Sequence, residues 1–208
     1  MQPGAEDALV VVDVQYDFLP GGKLAVAGGD EIVAPINGLA ERFANVVQTQ
    51  DWHPQDHVSF ASNHPGTKPF EVIALRYGPQ VLWPDHCVIG THGAEFSSGL
   101  HLPNCQMIVR KGFRPGVDSY SGFREADRTT QTGLAGYLRE RGIRRLFMVG
   151  LATDFCVSWT AEDAAAAGFE SIIVEDATRA IDTGGSLAAA RSRMNAAGVR
   201  RMTVSDFE

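Results

Sequence analysis

Positive charge is scarce in this 208-residue sequence: 18 Lys and Arg face 25 Asp and Glu, leaving a net charge of −7. That balance argues against a nucleic-acid binder, which needs a basic face to displace phosphate counterions. Lysine is scarcer still, with only Lys23, Lys68 and Lys111. Cysteine is limited to Cys87, Cys105 and Cys156, too few and too far apart for a disulfide framework, so a reducing compartment is expected. Long apolar runs are missing as well. The first, Ala8 to Val12, is cut by Asp13 after five residues, whereas a membrane span takes roughly 20. The start carries Glu6 and Asp7 rather than a basic leader, so the expectation is a soluble, cytoplasmic protein without membrane contact. Histidine is absent from three quarters of the chain, since all six residues fall between His53 and His101.

What is present reads as an α/β domain. Short β-branched runs alternate with helical patterns, the signature of βα units and a mostly parallel sheet, and one domain spanning 1–208 is expected at this length. Strands are predicted at Ala8 to Val12, Asn45 to Gln50, Gln106 to Lys111, Arg145 to Gly150, Ser171 to Glu175 and Arg200 to Val204. Helices are predicted from Asp30 to Phe43, with Pro35 awkwardly inside, and at Thr132 to Arg141, Asp154 to Ala167 and Gly185 to Ala197. Residues 51–105 show no sustained period. An unpatterned connection of that length in a compact domain is usually functional or disordered, and Trp52, Phe60, Phe70, Tyr77, Trp83 and Phe96 argue against disorder.

Ligands of open α/β sheets bind beyond the carboxyl ends of the strands, and three chemically able residues stand there. Asp13 follows Val10 to Val12, Lys111 closes the third strand, and Cys156 follows the fourth by one short turn. Taken singly, each has a plainer explanation: a turn acceptor, a lysine reaching for solvent, a packed thiol. Cys156 stands out because its sulfur falls near the first turn of a helix, where the dipole and a nearby lysine favour thiolate.

Asp51 and His53 form a second group. In extended chain, residues i and i+2 point to one side, so a carboxylate and an imidazole can share an ion, with His86 and His57 the nearest further donors. The alternative is a set of solvated imidazoles in a polar loop.

Together these segments resemble the nicotinamidases, the metal-containing branch of the isochorismatase-like cysteine hydrolases. The resemblance rests on Val12-Asp13-Val14-Gln15-Tyr16-Asp17-Phe18, Pro20-Gly21-Gly22 with Leu24-Ala25-Val26, Gln50-Asp51-Trp52-His53-Pro54, Trp83-Pro84-Asp85-His86-Cys87-Val88, Arg110-Lys111-Gly112, and Gly150-Leu151-Ala152-Thr153-Asp154-Phe155-Cys156-Val157. It runs from about Ala8 to Val204 and implies a three-layer α/β/α fold with a six-stranded parallel sheet. It also implies hydrolysis of nicotinamide to nicotinate and ammonia in NAD salvage, with pyrazinamide as a second substrate. By the same resemblance Asp13 is the general base, Lys111 its charge partner and Cys156 the nucleophile. The amides of Ala152 and Cys156 form the oxyanion hole beside a cis peptide at Leu151-Ala152. One divalent ion, Zn²⁺, Fe²⁺ or Mn²⁺, sits on Asp51, His53 and His86, with His57 a further candidate. Phe18, Trp83 and Leu151 line the substrate pocket, and Tyr120 or Phe123 closes it. Phe155 departs from the Tyr or His common in relatives, which puts the polar contact made there in question. Relatives are often dimers or larger.

Two rival readings remain. A carbamoyl or ureido hydrolase shares Asp, Lys and Cys but usually lacks the metal triplet, and isochorismatase itself lacks the nucleophilic cysteine. A non-catalytic zinc-binding or thiol redox module predicts tight metal and no turnover.

Overall fold

The computed structural model describes residues 1–207. Its strands and helices follow in chain order. Asp7–Val12 is β1, Val33–Ala40 is α1 and Val46–Asp51 is β2. Val72–Leu75 and Gly78–Val81 form β3 and β4, and Cys105–Lys111 is β5. Leu134–Glu140 is α2, Arg145–Leu151 is β6, Ser158–Ala166 is α3, Glu170–Arg179 is β7, Ser186–Ala196 is α4 and Arg200–Met202 is β8. Six strands make one parallel sheet in the order β5-β2-β1-β6-β7-β8, as expected.

β1 is buried along its whole length because both faces of the sheet are covered. Leu9 and Val11 point into a core shared with Ile36 and Leu39 of α1. Ala8, Val10 and Val12 point into a second core with Leu138, Ala161 and Met194 of α2, α3 and α4. The period of two along the strand thus divides its apolar residues between two helical layers. β1 pairs with β2 on one side and β6 on the other, so the strand order reverses between β1 and β6 and opens a crevice at their carboxyl ends. Gly150 makes the close approach possible: its φ is +108°, and a Cβ there would run into the Val12 backbone.

Several boundaries differ from expectation. The helix predicted from Asp30 to Phe43 is a 3₁₀ turn, Gly29–Ile32, followed by α1, which puts Pro35 in a first turn where its missing N–H costs nothing. The helix predicted from Asp154 begins instead as a π turn over Thr153–Val157, with the Val157 N–H reaching back five residues to Ala152 O at 3.1 Å. β7 extends to Arg179, four residues past its predicted end at Glu175. The long connection after β2 is not featureless. It contains the β3-β4 hairpin, and its backbone folds on itself: His53 N–H donates to Cys87 O (3.0 Å) and Ile89 N–H to His53 O (2.8 Å), while Trp83 N–H donates to Ser59 O (2.7 Å). No helix among the described residues is long and apolar enough to cross a membrane.

Candidate active site

β1 ends at Val12 because Asp13 turns into the left-handed region, φ +47°, which aims its carboxylate across the crevice. Thr49 Oγ1 donates to Asp13 Oδ1 (2.6 Å), and Lys111 Nζ stands 2.8 Å from Asp13 Oδ2. Lys111 is fully buried, an unusual place for a lysine unless its charge is matched. Its ammonium also donates to Asp51 Oδ1, to Ser119 O (3.1 Å) and to Cys156 Sγ (3.3 Å). Asp51 and Lys111 are register partners in β2 and β5, so their side chains project to the same side.

Burial pushes the Asp13 carboxyl above its usual value, against the pull of Lys111. Burial opposes ionisation of Asp51 too, but Lys111 and His53 hold that carboxyl well below its usual range. Burial disfavours the Lys111 charge, yet Asp13 and Asp51 together hold its pKa well above normal. Cys156 is pushed well up by burial despite Lys111, so the thiol rests protonated with a base beside it.

The second donor group lies on the other side of Asp51. His53 Nε2 is 3.5 Å and His86 Nε2 3.8 Å from Asp51 Oδ2, close to the roughly 3.3 Å that separates donors around a tetrahedral ion with bonds of about 2.0–2.1 Å. Each imidazole has its other nitrogen on a carbonyl: His53 Nδ1 on Gly112 O (2.9 Å) and His86 Nδ1 on Pro84 O (2.8 Å). That leaves both Nε2 lone pairs free for an ion, the usual arrangement of a ligating histidine. The residues therefore fit a divalent metal. Gly112, φ +69°, is required here because a Cβ would strike the His53 ring. His57 stands apart from Asp51 and His86. Its Nδ1 meets Ser59 Oγ (2.7 Å) and its Nε2 meets Val117 O (3.2 Å), and burial lowers its pKa to about 4, so it is a neutral, already partnered ring. It groups instead with His53 and Asp118.

Between the two groups lies a cleft of about 340 Å³ lined by Phe18, Trp83, Tyr120, Phe155, Asp51, His53, His86 and Cys156, with Leu24, Ile181, Ala152, Asp118 and Ser119 completing it. Phe18, Trp83 and Tyr120, all expected at a substrate pocket, line this cleft. Phe123 does not: it packs in the core against Phe169. The Leu151 side chain is likewise core, although the Leu151-Ala152 peptide is cis. The Ala152 N–H, between strand and π turn, donates to no backbone carbonyl among the described residues.

A thiol, a carboxylate, a buried lysine and a three-donor cluster share one crevice at the switch point of a parallel sheet, and residues 7–206 match the isochorismatase domain model. The chain belongs to the isochorismatase-domain family. It is similar to the nicotinamidase of Acinetobacter baylyi, 59% identical over 94% of this chain and 92% of the relative. A solved structure of an Acinetobacter baumanii nicotinamidase and pyrazinamidase superposes with a TM-score of 0.98 at 56% identity, covering 100% of both chains. The pyrazinamidase of Pyrococcus horikoshii in complex with zinc superposes with a TM-score of 0.79 at 37% identity, covering 95% of this chain and 99% of that one.

Asp118, Ser119 and Ile181 line the cleft without any sequence signal, Leu24 lines it from a segment that suggests no role for it, and Asp51, expected only as a metal donor, also holds Lys111. A buried lysine facing one strand-end acid could have prompted a search for a second.

Proposed function

We propose that this protein is a nicotinamidase: a cysteine amidohydrolase that converts nicotinamide to nicotinate and ammonia, and pyrazinamide to pyrazinoate. The observation that carries this reading is the single cluster in which Cys156 Sγ and Asp13 flank Lys111 while Asp51 joins Lys111 to the His53 and His86 donors, with Cys156, Asp51 and both histidines lining the cleft. A six-membered ring with a nitrogen two positions from the ring carbon that bears its carboxamide would present the carboxamide to Cys156 and the nitrogen to the Asp51, His53 and His86 donors.

Asp13 is the base. It takes the Cys156 Sγ–H proton as sulfur adds to the carboxamide carbon, and Lys111 stabilises both the thiolate and the carboxylate. The carbonyl oxygen becomes an oxyanion, held by the free Ala152 N–H and the Cys156 N–H. Such a donor is typically worth about 3 kcal/mol. The C–N bond then breaks, protonated Asp13 gives its proton to the leaving ammonia, and a nicotinoyl thioester remains. Water adds next as Asp13 accepts its proton, the C–S bond breaks, and the acid and the thiol are released. Asp51, His53 and His86 would hold one divalent ion, which when bound would supply an electron-pair acceptor for the ring nitrogen. Phe18 and Trp83 hold the ring by stacking and contact.

The test is ammonia release from nicotinamide, pyrazinamide and an N-carbamoyl amino acid, with bound metal quantified in the same preparation. The first two are turned over and the third is not. The reverse pattern overturns the proposal in favour of the carbamoyl hydrolase.

A further inference from the structure

Asp51 has two jobs, and a buried residue outside both donor groups holds it in place. Because β1 stops at Val12, β2 runs past its neighbour, and the Asp51 N–H and C=O have no β1 peptide to pair with. Left unpaired and buried, such groups cost as much as lost hydrogen bonds. The Gln15 carboxamide fills the gap. Its Oε1 accepts from Asp51 N–H (2.8 Å), and its Nε2 donates to Asp51 O (2.8 Å) and to Ala94 O (2.9 Å). Gln15 is fully buried, and its own N–H donates to Asp13 O (2.8 Å), so one residue ties the turn carrying Asp13 to the strand end carrying Asp51.

We propose that Gln15 is a positioning residue that clamps the Asp51 peptide so that Oδ1 meets Lys111 while Oδ2 faces His53 and His86. This rests on the metal-dependent hydrolase reading and deepens it. The amide is required at this position because one acceptor and two N–H donors are used at once, whereas a carboxylate offers no donor and a protonated carboxyl only one. The substitution Gln15→Glu would set an oxygen against the Asp51 and Ala94 carbonyls, and Gln15→Ala would leave the Asp51 peptide bare. Gln50 supplies a matched control. It is buried, adjacent to Asp51, and donates to the same Ala94 O (2.9 Å), but its other contact is Arg110 Nε (3.1 Å).

The experiment loads metal-free protein with Co²⁺ and reads affinity and ligand-field spectrum, with thermal unfolding in parallel. Gln15→Ala and Gln15→Glu are expected to weaken Co²⁺ binding about 10- to 100-fold and to change the spectrum, the usual consequence of removing a partner that orients a metal ligand. Gln50→Ala is expected to lower the unfolding temperature while keeping Co²⁺ affinity within about threefold. Wild-type affinity and spectrum in a folded Gln15 variant, or equal weakening by Gln50→Ala, overturns the proposal. Gln15→Met, similar in length but without the amide, carries the same test if Gln15→Ala does not fold. Because the readout is Co²⁺ binding, failure of the clamp is distinct from failure of the hydrolase assignment, which ammonia release decides.

Discussion

β1 is bracketed by two aspartates, each facing a cation from another strand, and the two pairs have different fates. At the amino end, Asp7 accepts a bidentate pair of bonds from Arg145 of β6, both 2.8 Å, and the arginine reaches solvent. At the carboxyl end, Asp13 and Lys111 are sealed from water, and a second carboxylate and a thiol share the lysine. A guanidinium fork and a carboxylate satisfy each other almost fully, which leaves nothing over for chemistry. A compact ammonium set among four acceptors cannot satisfy them all. Asp13 Oδ2 has the lysine charge beside it but accepts no well-aligned hydrogen bond, so it is the oxygen available to the thiol proton. The acid is aspartate at both ends; the kind of cation, solvent access and the number of partners separate a staple from a reactive centre.

The strongest way to break the comparison is to remove the thiol, a group with no counterpart at the amino end. Cys156→Ala is expected to abolish ammonia release, by about 10⁴-fold or more, while the unfolding temperature stays near wild type. Normal turnover by the variant would show that the carboxyl-end cluster is only another staple. Next comes the cation itself. Lys111→Met leaves Asp13 and Asp51 buried without their shared partner and should cost about 3–5 kcal/mol in chemical denaturation, together with activity. If stability is unchanged, the burial of the ammonium is not what organises the site.

Removing the ion from the far side of Asp51 is a smaller perturbation. Chelation and His86→Ala should each lower nicotinamide turnover about 10- to 100-fold, and metal content should fall in parallel. Lys111, Asp13 and Cys156 keep their contacts in both cases. Full activity in metal-free protein would favour a hydrolase that needs only the acid, the lysine and the thiol.

The sequence shows the two sides of this site unequally. Asp13, Lys111 and Cys156 can be found because each stands at the end of a strand or one short turn beyond it, and strand ends of a parallel sheet converge. The Asp51-Lys111 contact could not, because it depends on the register of β2 against β5, which no local pattern encodes. The β3-β4 hairpin is hidden for a different reason: its strands are four residues each, one carries Pro79, and all but one of their side chains are exposed or only half-buried, so no apolar face marks them. Asp118 has no sequence mark, and Gln15 lies in the Val12–Phe18 segment without showing its role, because hydrogen bonds of buried amides and acids depend on tertiary placement rather than on any periodicity. Phe123 was wrongly expected at the pocket, since proximity in sequence to Tyr120 does not say which wall of the sheet an aromatic ring joins.

The amino-end pair gives the mildest test and the cleanest control. Arg145→Gln removes a partly solvated guanidinium and leaves Asp7, which is nearly buried, with the Gly4 N–H (2.6 Å) as its remaining partner. The expected cost is about 1–2 kcal/mol, because water can reach the freed carboxylate along the path the arginine now occupies. For a chain of this size that lowers Tm by about 2–8 °C. Turnover of nicotinamide should not change, since the substitution lies at the opposite end of the sheet from the cleft. A fall in kcat with intact stability would mean that strain at the amino end of β1 reaches Asp13 through the strand, and the two ends could no longer be treated as independent.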